Sequence, residues 1–166
     1  ICVEGTFAHL SSPVVVVSSP MKRTLETAIE IGRALDAEVE VIEELREISF
    51  GDWDGHTHEE VVAERSDVFA AWQGSWDIAP PNGESLKDFD TRIQKAKAAI
   101  LSRHAGASVV VVAHVMPIRG FLRDALDAGT AAYWRPQISP CSISIVRFWG
   151  DQAAEIVTMN STSHLV

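Results

Sequence analysis

The chain has 166 residues, of which 23 are acidic and 14 are basic, so its formal net charge is −9 with histidine neutral. The length suits one domain, and the apolar share of 46% and charged share of 22% are ordinary for a soluble globular protein. The negative charge argues against a nucleic-acid or membrane-surface partner, because both are polyanions, and two cysteines are too few for a disulfide framework or a structural zinc site.

Strands and helices alternate along the chain. Strands are predicted from short β-branched runs, and helices from apolar residues at helical spacing. Ser19 as N-cap with Pro20 at the first helical position, and Thr57 as N-cap, mark two helix starts. In chain order the predicted elements are a strand at 14–17, a helix at 20–35, a strand at 39–42, helices at 57–72 and 86–106, a strand at 109–113, a helix at 117–128, and a hairpin of strands at 142–149 and 155–159. This alternation predicts an α/β fold, with a mostly parallel sheet flanked by helices on both faces.

Two predicted strand ends carry side chains that suit an anion. The first strand runs into Ser18-Ser19-Pro20 and then Arg23, and the 109–113 strand runs into His114 and then Arg119. Ligands of open α/β sheets bind beyond the carboxyl ends of the strands, where helix N-termini present free N–H groups. A guanidinium and a protonated imidazole facing one pocket would bind a dianion.

Both residues also have simpler interpretations. Arg23 has Glu26 and Glu30 within reach on its own helix surface. A single histidine at a strand end, such as His114, is more often a packed structural residue than a ligand-binding one. The residues alone leave these alternatives open.

A metal site is a weaker hypothesis. His56 and His58 lie near Asp52, but their spacing lacks the usual set of partner ligands, and an exposed loop at a helix start is the better interpretation. Trp53, between two aspartates, is either core packing or the wall of a pocket.

Taken in order, the segments resemble the histidine phosphatase superfamily, whose fold is that of phosphoglycerate mutase. The resemblance covers nearly the whole chain. The motifs that carry it are Val14–Val17 with Ser18-Ser19-Pro20 and Arg23, Leu45-Arg46-Glu47 followed by Phe50-Gly51-Asp52-Trp53-Asp54-Gly55, Pro81-Asn82-Gly83-Glu84-Ser85, Val109–Ala113 with His114, and the ending from Asn160 to Leu165.

The resemblance implies a role for each matched residue. Arg23 would bind the phosphoryl group, Glu47 would donate a proton to the leaving group, and His114 would be the second histidine of the pocket. Val115 stands where family members often have glycine, so it would narrow the pocket mouth. Loop shape around Trp53, Trp76 and Glu84 would set selectivity. Phosphoryl transfer of this kind needs neither a metal ion nor an organic cofactor, because charged side chains stabilise the transferring group.

One departure from the family pattern is large. The family's nucleophile is the histidine of an Arg-His-Gly motif after the first strand, and no Arg-His-Gly occurs in the 166 residues. His9 follows Ala8 and precedes Leu10, so it does not take that role. We expect residues 1–166 to form a single domain that lacks its N-terminal strand and nucleophile segment.

The function implied is that of an acid phosphatase, a phosphomonoester hydrolase working through a phosphohistidine intermediate. A degenerate domain that binds phosphorylated ligands or a partner, and a mutase, are the alternatives. The segments at 80–85 and 114–119 most resemble α-ribazole phosphatases and the acid phosphatase domains fused to ribonuclease H in actinobacteria. A small phosphorylated substrate, a cytoplasmic location and no membrane partner are expected, with a fused ribonuclease H domain as one arrangement and the oligomeric state open.

Overall fold

A parallel three-stranded sheet organises the part of the chain that the computed structural model describes, which is residue 10 and residues 13–150 and 153–165. The strands are β1 (Val14–Ser18), β2 (Val39–Val41) and β3 (Ser108–Val112), in the order β2-β1-β3. Val16 of β1 pairs with Val39 in β2 and with Val110 in β3. Because all three strands run the same way, their carboxyl ends lie at one edge of the sheet.

Four helices and an antiparallel hairpin complete the described architecture. The hairpin, β4 (Ile143–Phe148) with β5 (Ala154–Ser161), forms a two-stranded sheet of its own. The predicted α/β fold with a parallel sheet and flanking helices is confirmed. The helices are α1 (Lys22–Leu35), α2 (His58–Gln73), α3 (Leu86–Arg103) and α4 (Val115–Ala125).

The helix starts show where local sequence rules hold. At α2 the Thr57 hydroxyl accepts from the Glu60 N–H and the Glu60 carboxylate accepts from the Thr57 N–H, the reciprocal pair of a capping box. The prediction of Ser19 as the cap of α1 is wrong. The helix begins at Lys22, after Met21 in an extended conformation with no side-chain cap. Ser19 lies two residues before this cap position, and its hydroxyl accepts from the Met21 N–H at 3.4 Å and contacts a histidine that follows β3.

The apolar stripe of α3 joins the two halves of the core. Its first half packs in an aromatic cluster and its second half packs under the parallel sheet. The buried members of the aromatic cluster are Ile48, Trp53, Val61, Trp72, Leu86, Phe89, Ile93, Met116 and Tyr133, and those under the sheet are Val17, Ile42, Leu45, Ala96 and Ile100. Among the described helices none is both long and apolar enough to cross a membrane. The cytoplasmic location stays a prediction.

Two loops that carry family motifs bind each other through their backbones. The Asp52 N–H donates to the Pro81 carbonyl oxygen at 2.9 Å, and the Glu84 N–H donates to the Ser49 carbonyl oxygen at 2.9 Å. Gly51 lies where the two loops touch, and its φ is +58°. A β-carbon placed on Gly51 would come within 2.2 Å of the Pro81 carbonyl oxygen. Only glycine permits both this conformation and this approach.

The contact between these loops gives a matched test. Gly55 also has a positive φ, +89°, but a β-carbon added there would have no atom within 4 Å. Replacing either glycine by alanine costs about 1–2 kcal/mol for the left-handed backbone, and Gly51→Ala should cost about 1–3 kcal/mol more for the overlap. Urea unfolding of both variants measures the difference, and equal losses would contradict the close approach of the two loops.

Candidate active site

The ends of β1 and β3 are fastened to each other by a buried hydrogen bond. Ser18, the last residue of β1, is paired in register with Val112, the last residue of β3. One residue beyond Ser18 the Ser19 hydroxyl lies 2.8 Å from Nε2 of His114. Ser19 is fully buried and His114 is 7% exposed. The two strand ends that the sequence predicted to share a pocket therefore meet at one place.

Arg23 lies in the first turn of α1, and its side chain is exposed. The simpler interpretation, an ion pair with a neighbouring glutamate, does not hold. Glu26 pairs with Lys22 at 3.7 Å and Glu30 pairs with Arg33 at 2.6 Å. Within the described residues the Arg23 side chain has no hydrogen bond or ion pair, so its charge remains available to an anion.

The surroundings of His114 favour the neutral form of its ring. Burial, together with the positive charges of Arg23 and Arg92, lowers the pKa of His114 to about 4. The protonated imidazole expected from the sequence is therefore not the resting state at neutral pH. A bound dianion would offset the two guanidinium charges and raise the pKa of His114, so binding would draw a proton onto the ring.

Glu47 reaches the same place from a loop. Leu45 and Ile48 are buried on either side of it, and its Oε1 accepts hydrogen bonds from the Ile48 N–H at 3.0 Å and the Met116 N–H at 3.2 Å. Burial raises the pKa of Glu47, and the two N–H groups and the charge of Arg23 offset part of that rise. A carboxyl group with a raised pKa is suited to donating a proton.

Arg92 is a residue of this region that the sequence analysis missed. Its Nε and Nη2 donate hydrogen bonds to the two oxygens of the Glu84 carboxylate at 2.7 and 2.8 Å. Its Nη1 donates to the carbonyl oxygens of Glu44 and Arg46 at 2.5 and 2.9 Å, and Nη2 donates to that of Glu47 at 3.1 Å. The sequence did not single out Arg92, which lies on the polar side of α3. Its partners on the loop that carries Glu47 lie far away in the sequence.

Trp53, which was expected to help to shape the pocket, packs in the core. Trp53 is 9% exposed, and its ring packs against Phe69 and Trp72 at centroid distances of 5.8 and 5.6 Å. Its remaining exposed edge lines a small cleft with Asp52 and His56. That cleft includes neither Arg23, Glu47 nor His114, so Trp53 belongs to the core and to a separate surface feature.

Trp76 and Arg119 also have structural partners. The Trp76 ring packs on Tyr133 at 6.1 Å. The guanidinium of Arg119 donates to the carbonyl oxygens of Tyr133 and Pro136 at 2.8–3.0 Å. Arg119 therefore fixes the loop after α4 instead of offering its hydrogen-bond donors to an anion.

The remaining sequence expectations concern the pocket mouth and metals. Val115, the first residue of α4, follows His114 directly and is 36% exposed. The His58 ring packs on Phe69 at 4.9 Å, and in the described part of the chain no group of three histidine, cysteine or acidic side chains is arranged to hold a metal ion. His9 lies outside the described residues.

The comparisons with known proteins point to one protein family. The model of the histidine phosphatase superfamily (branch 1) matches residues 3–162. The bifunctional protein Rv2228c of Mycobacterium tuberculosis is 37% identical over 161 residues, which cover 97% of this chain and 44% of that protein. The chain thus spans less than half the length of this relative. Phosphoserine phosphatase 1 of Hydrogenobacter thermophilus is 31% identical over 152 residues, covering 91% of this chain and 72% of that protein.

The solved structures agree with the sequence relatives. The structure of YhfR from Bacillus stearothermophilus superposes with a TM-score of 0.84 at 26% identity, over 99% of this chain and 82% of that one. The likeness therefore extends over nearly the whole of this chain.

The low pKa of His114 gives a test with sulfate, a dianion that does not itself titrate near neutral pH. Sulfate affinity should rise as the pH falls from 7 to 5, by up to about tenfold per pH unit, because binding is linked to proton uptake. In His114→Gln most of this dependence should disappear, with the remainder due to Glu47, whereas His56→Gln on an exposed loop should behave as wild type. Isothermal titration calorimetry measures the affinities, and a pH-independent affinity in wild type would contradict the linkage.

Proposed function

The chain belongs to the histidine phosphatase superfamily, and on that premise we propose that it is the phosphoryl-binding and proton-donating part of a phosphomonoester hydrolase. The observation that carries the proposal is the placement of three groups at the carboxyl edge of the sheet: the unpaired guanidinium of Arg23, the buried imidazole of His114, and the Glu47 carboxylate held by the Met116 N–H. Together they bind a dianion and supply a proton beside it.

The phosphoryl group would lie between the two strand ends. Arg23 and the ring of His114 would bind its oxygens, and the N-terminus of α4, which begins directly after His114, would add favourable dipole charge. These donors stabilise the charge on the equatorial oxygens as the bond to the leaving group breaks, without a metal ion.

Glu47 would serve two steps in turn. A nucleophilic histidine attacks phosphorus, the bond to the substrate oxygen breaks, and the departing alkoxide takes the Glu47 proton. In the second step the Glu47 carboxylate takes a proton from water as the water oxygen attacks the phosphohistidine. Phosphate leaves and the nucleophile is restored, so protons and phosphoryl group balance over the cycle.

We assign the nucleophile to a segment outside the described residues, since no Arg-His-Gly occurs in the sequence. The edge formed by Val109–Val112 supports this assignment. On the side away from β1, Val109–Val112 are paired with no strand among those described, and these four valines are only half-buried. An apolar strand edge of this kind is a ready position for one further strand, and a residue at its carboxyl end would face Ser19 and His114.

The substrate class we infer is a small phosphomonoester, with Val115 narrowing the entrance to the site. The mycobacterial relative is named a bifunctional protein and has more than twice the matched length, which agrees with the expectation of a second domain such as ribonuclease H. That arrangement stays a prediction.

The proton-donor role is tested by varying the leaving group. Glu47→Gln should lower kcat/KM for an alkyl phosphate such as phosphoserine by about 10²–10⁴-fold, but much less for p-nitrophenyl phosphate, whose acidic leaving group needs no proton. The assay uses protein expressed from the complete open reading frame. Glu155→Gln, in an exposed ion pair on the β4–β5 hairpin, is the control. Equal losses on both substrates would exclude Glu47 as proton donor.

The covalent intermediate is tested by rapid quenching. Mixing the complete protein with labelled substrate should trap a phosphoprotein that is labile in acid and stable in alkali, as expected for a phosphorus–nitrogen bond. Arg23→Ala should reduce trapping at low substrate concentration, and Lys22→Ala, next to it on the same helix, should not. Substrate binding without trapped phosphate or turnover would instead identify a degenerate binding domain.

A further inference from the structure

Arg92 and Glu84 form a half-buried ion pair beside the proposed proton donor. Their side chains are 22% and 17% exposed, and the guanidinium meets the carboxylate with two parallel hydrogen bonds. We call this pair the Glu84–Arg92 clamp. Its burial is similar to that of Arg123 with Asp90 and contrasts with exposed pairs such as Arg147 with Glu155.

The clamp holds the backbone of the loop that carries Glu47. Three carbonyl oxygens, those of Glu44, Arg46 and Glu47, accept hydrogen bonds from the Arg92 guanidinium. Five N–H donors in one plane are the particular capacity of arginine, and lysine does not reproduce it. A loop of irregular backbone is thereby fixed at several points by one side chain.

The carboxylate of Glu47 is held from the other direction. Its Oε1 accepts from the N–H groups of Ile48 and Met116, the latter on α4. The Glu47 carbonyl is therefore fixed by α3 and its carboxylate by α4. Loss of the Arg92 contacts would free the loop to move the carboxylate away from Met116.

The clamp also affects the electrostatic potential around Glu47 and His114. The charges that face Glu47 from the helices packed around it are Arg23 on α1, Arg92 on α3 and Arg119 on α4, and those that face His114 are Arg23 and Arg92. Glu84 neutralises Arg92 through the paired hydrogen bonds. Without Glu84, the charge that Arg92 presents to the site would be larger.

We propose that Arg92 is a positioning residue for Glu47, and that Glu84 both completes the clamp and limits the positive charge that Arg92 presents to Glu47 and His114. The catalytic meaning of this inference rests on the proposed function. The geometry and the charge effect are properties of the 166-residue chain and are tested without turnover.

Two variants separate this role from a merely structural one. In Arg92→Gln the pKa of Glu47 should rise, because a positive charge is lost and the displaced carboxylate no longer accepts the hydrogen bond from the Met116 N–H, whereas general unfolding of the loop would expose Glu47 to solvent and lower its pKa. In Glu84→Gln the pKa of His114 should fall further, whereas loosening would raise it toward its ordinary value. Carbon and nitrogen NMR titrations of the two side chains measure both.

The matched control is the exposed pair on the hairpin. Arg147→Gln removes a positive charge, as Arg92→Gln does, and Glu155→Gln removes a negative charge, as Glu84→Gln does. The ion pair that they break has a similar length, 3.0 Å. Neither variant should change the pKa of Glu47 or of His114. Movement of the Glu47 and His114 pKa values toward their ordinary values in Arg92→Gln and Glu84→Gln, respectively, would overturn the proposal.

Arg92→Lys separates charge from positioning. The positive charge remains, so the pKa of His114 should stay near that of wild type, while the Met116 amide should exchange faster with solvent because its acceptor is displaced. In the complete protein kcat on an alkyl phosphate should fall by about 10–100-fold with KM nearly unchanged. Unchanged exchange and kcat would overturn the positioning role. If wild type shows no turnover, the proposed function fails, and amide exchange and the two titrations still decide the inference.

Discussion

The parallel pairing of β1 with β3 is the constraint on which the other features depend. It aligns Ser18 with Val112, and that register brings Ser19 and His114 within a hydrogen bond of each other one and two residues later. The helices that follow the two strands then start at the same edge of the sheet. A shift of β3 by one residue would turn alternate valines to the opposite face and separate the two polar ends, so the apolar register and the chemistry are enforced by the same ladder.

The site is positively charged although the chain as a whole is acidic, and its three arginines have different roles. Arg92 and Arg119 donate most of their hydrogen bonds to carbonyl oxygens and so hold loops in place. Arg23 alone among the three has no hydrogen-bond or ion-pair partner within the described residues. The two structural arginines still act at a distance on Glu47, so a scaffold contact and an electrostatic effect come from the same side chain.

Much of the fold and part of the site follow from local sequence. The valine runs, the Thr57 capping box and the stripe of α3 depend on neighbouring residues, and those predictions hold. The role of Arg92 was not predicted, because its carbonyl acceptors lie 45–48 residues away in the sequence. Ser19 was predicted as a helix cap because local rules cannot see a partner 95 residues along the chain. The neutral state of His114 depends on burial and on charges from two helices, which spacing does not encode.

The hydrogen bond from Met116 to Glu47 comes from the main chain, and this affects how the site tolerates sequence change. Any residue except proline at position 116 keeps the donor, so apolar substitutions that suit this buried position leave the bond in place. An alanine scan would therefore score Met116 for packing alone and miss its part in orienting the carboxylate. Packing therefore restricts which side chain position 116 accepts, whereas the interaction with Glu47 depends only on the helix backbone.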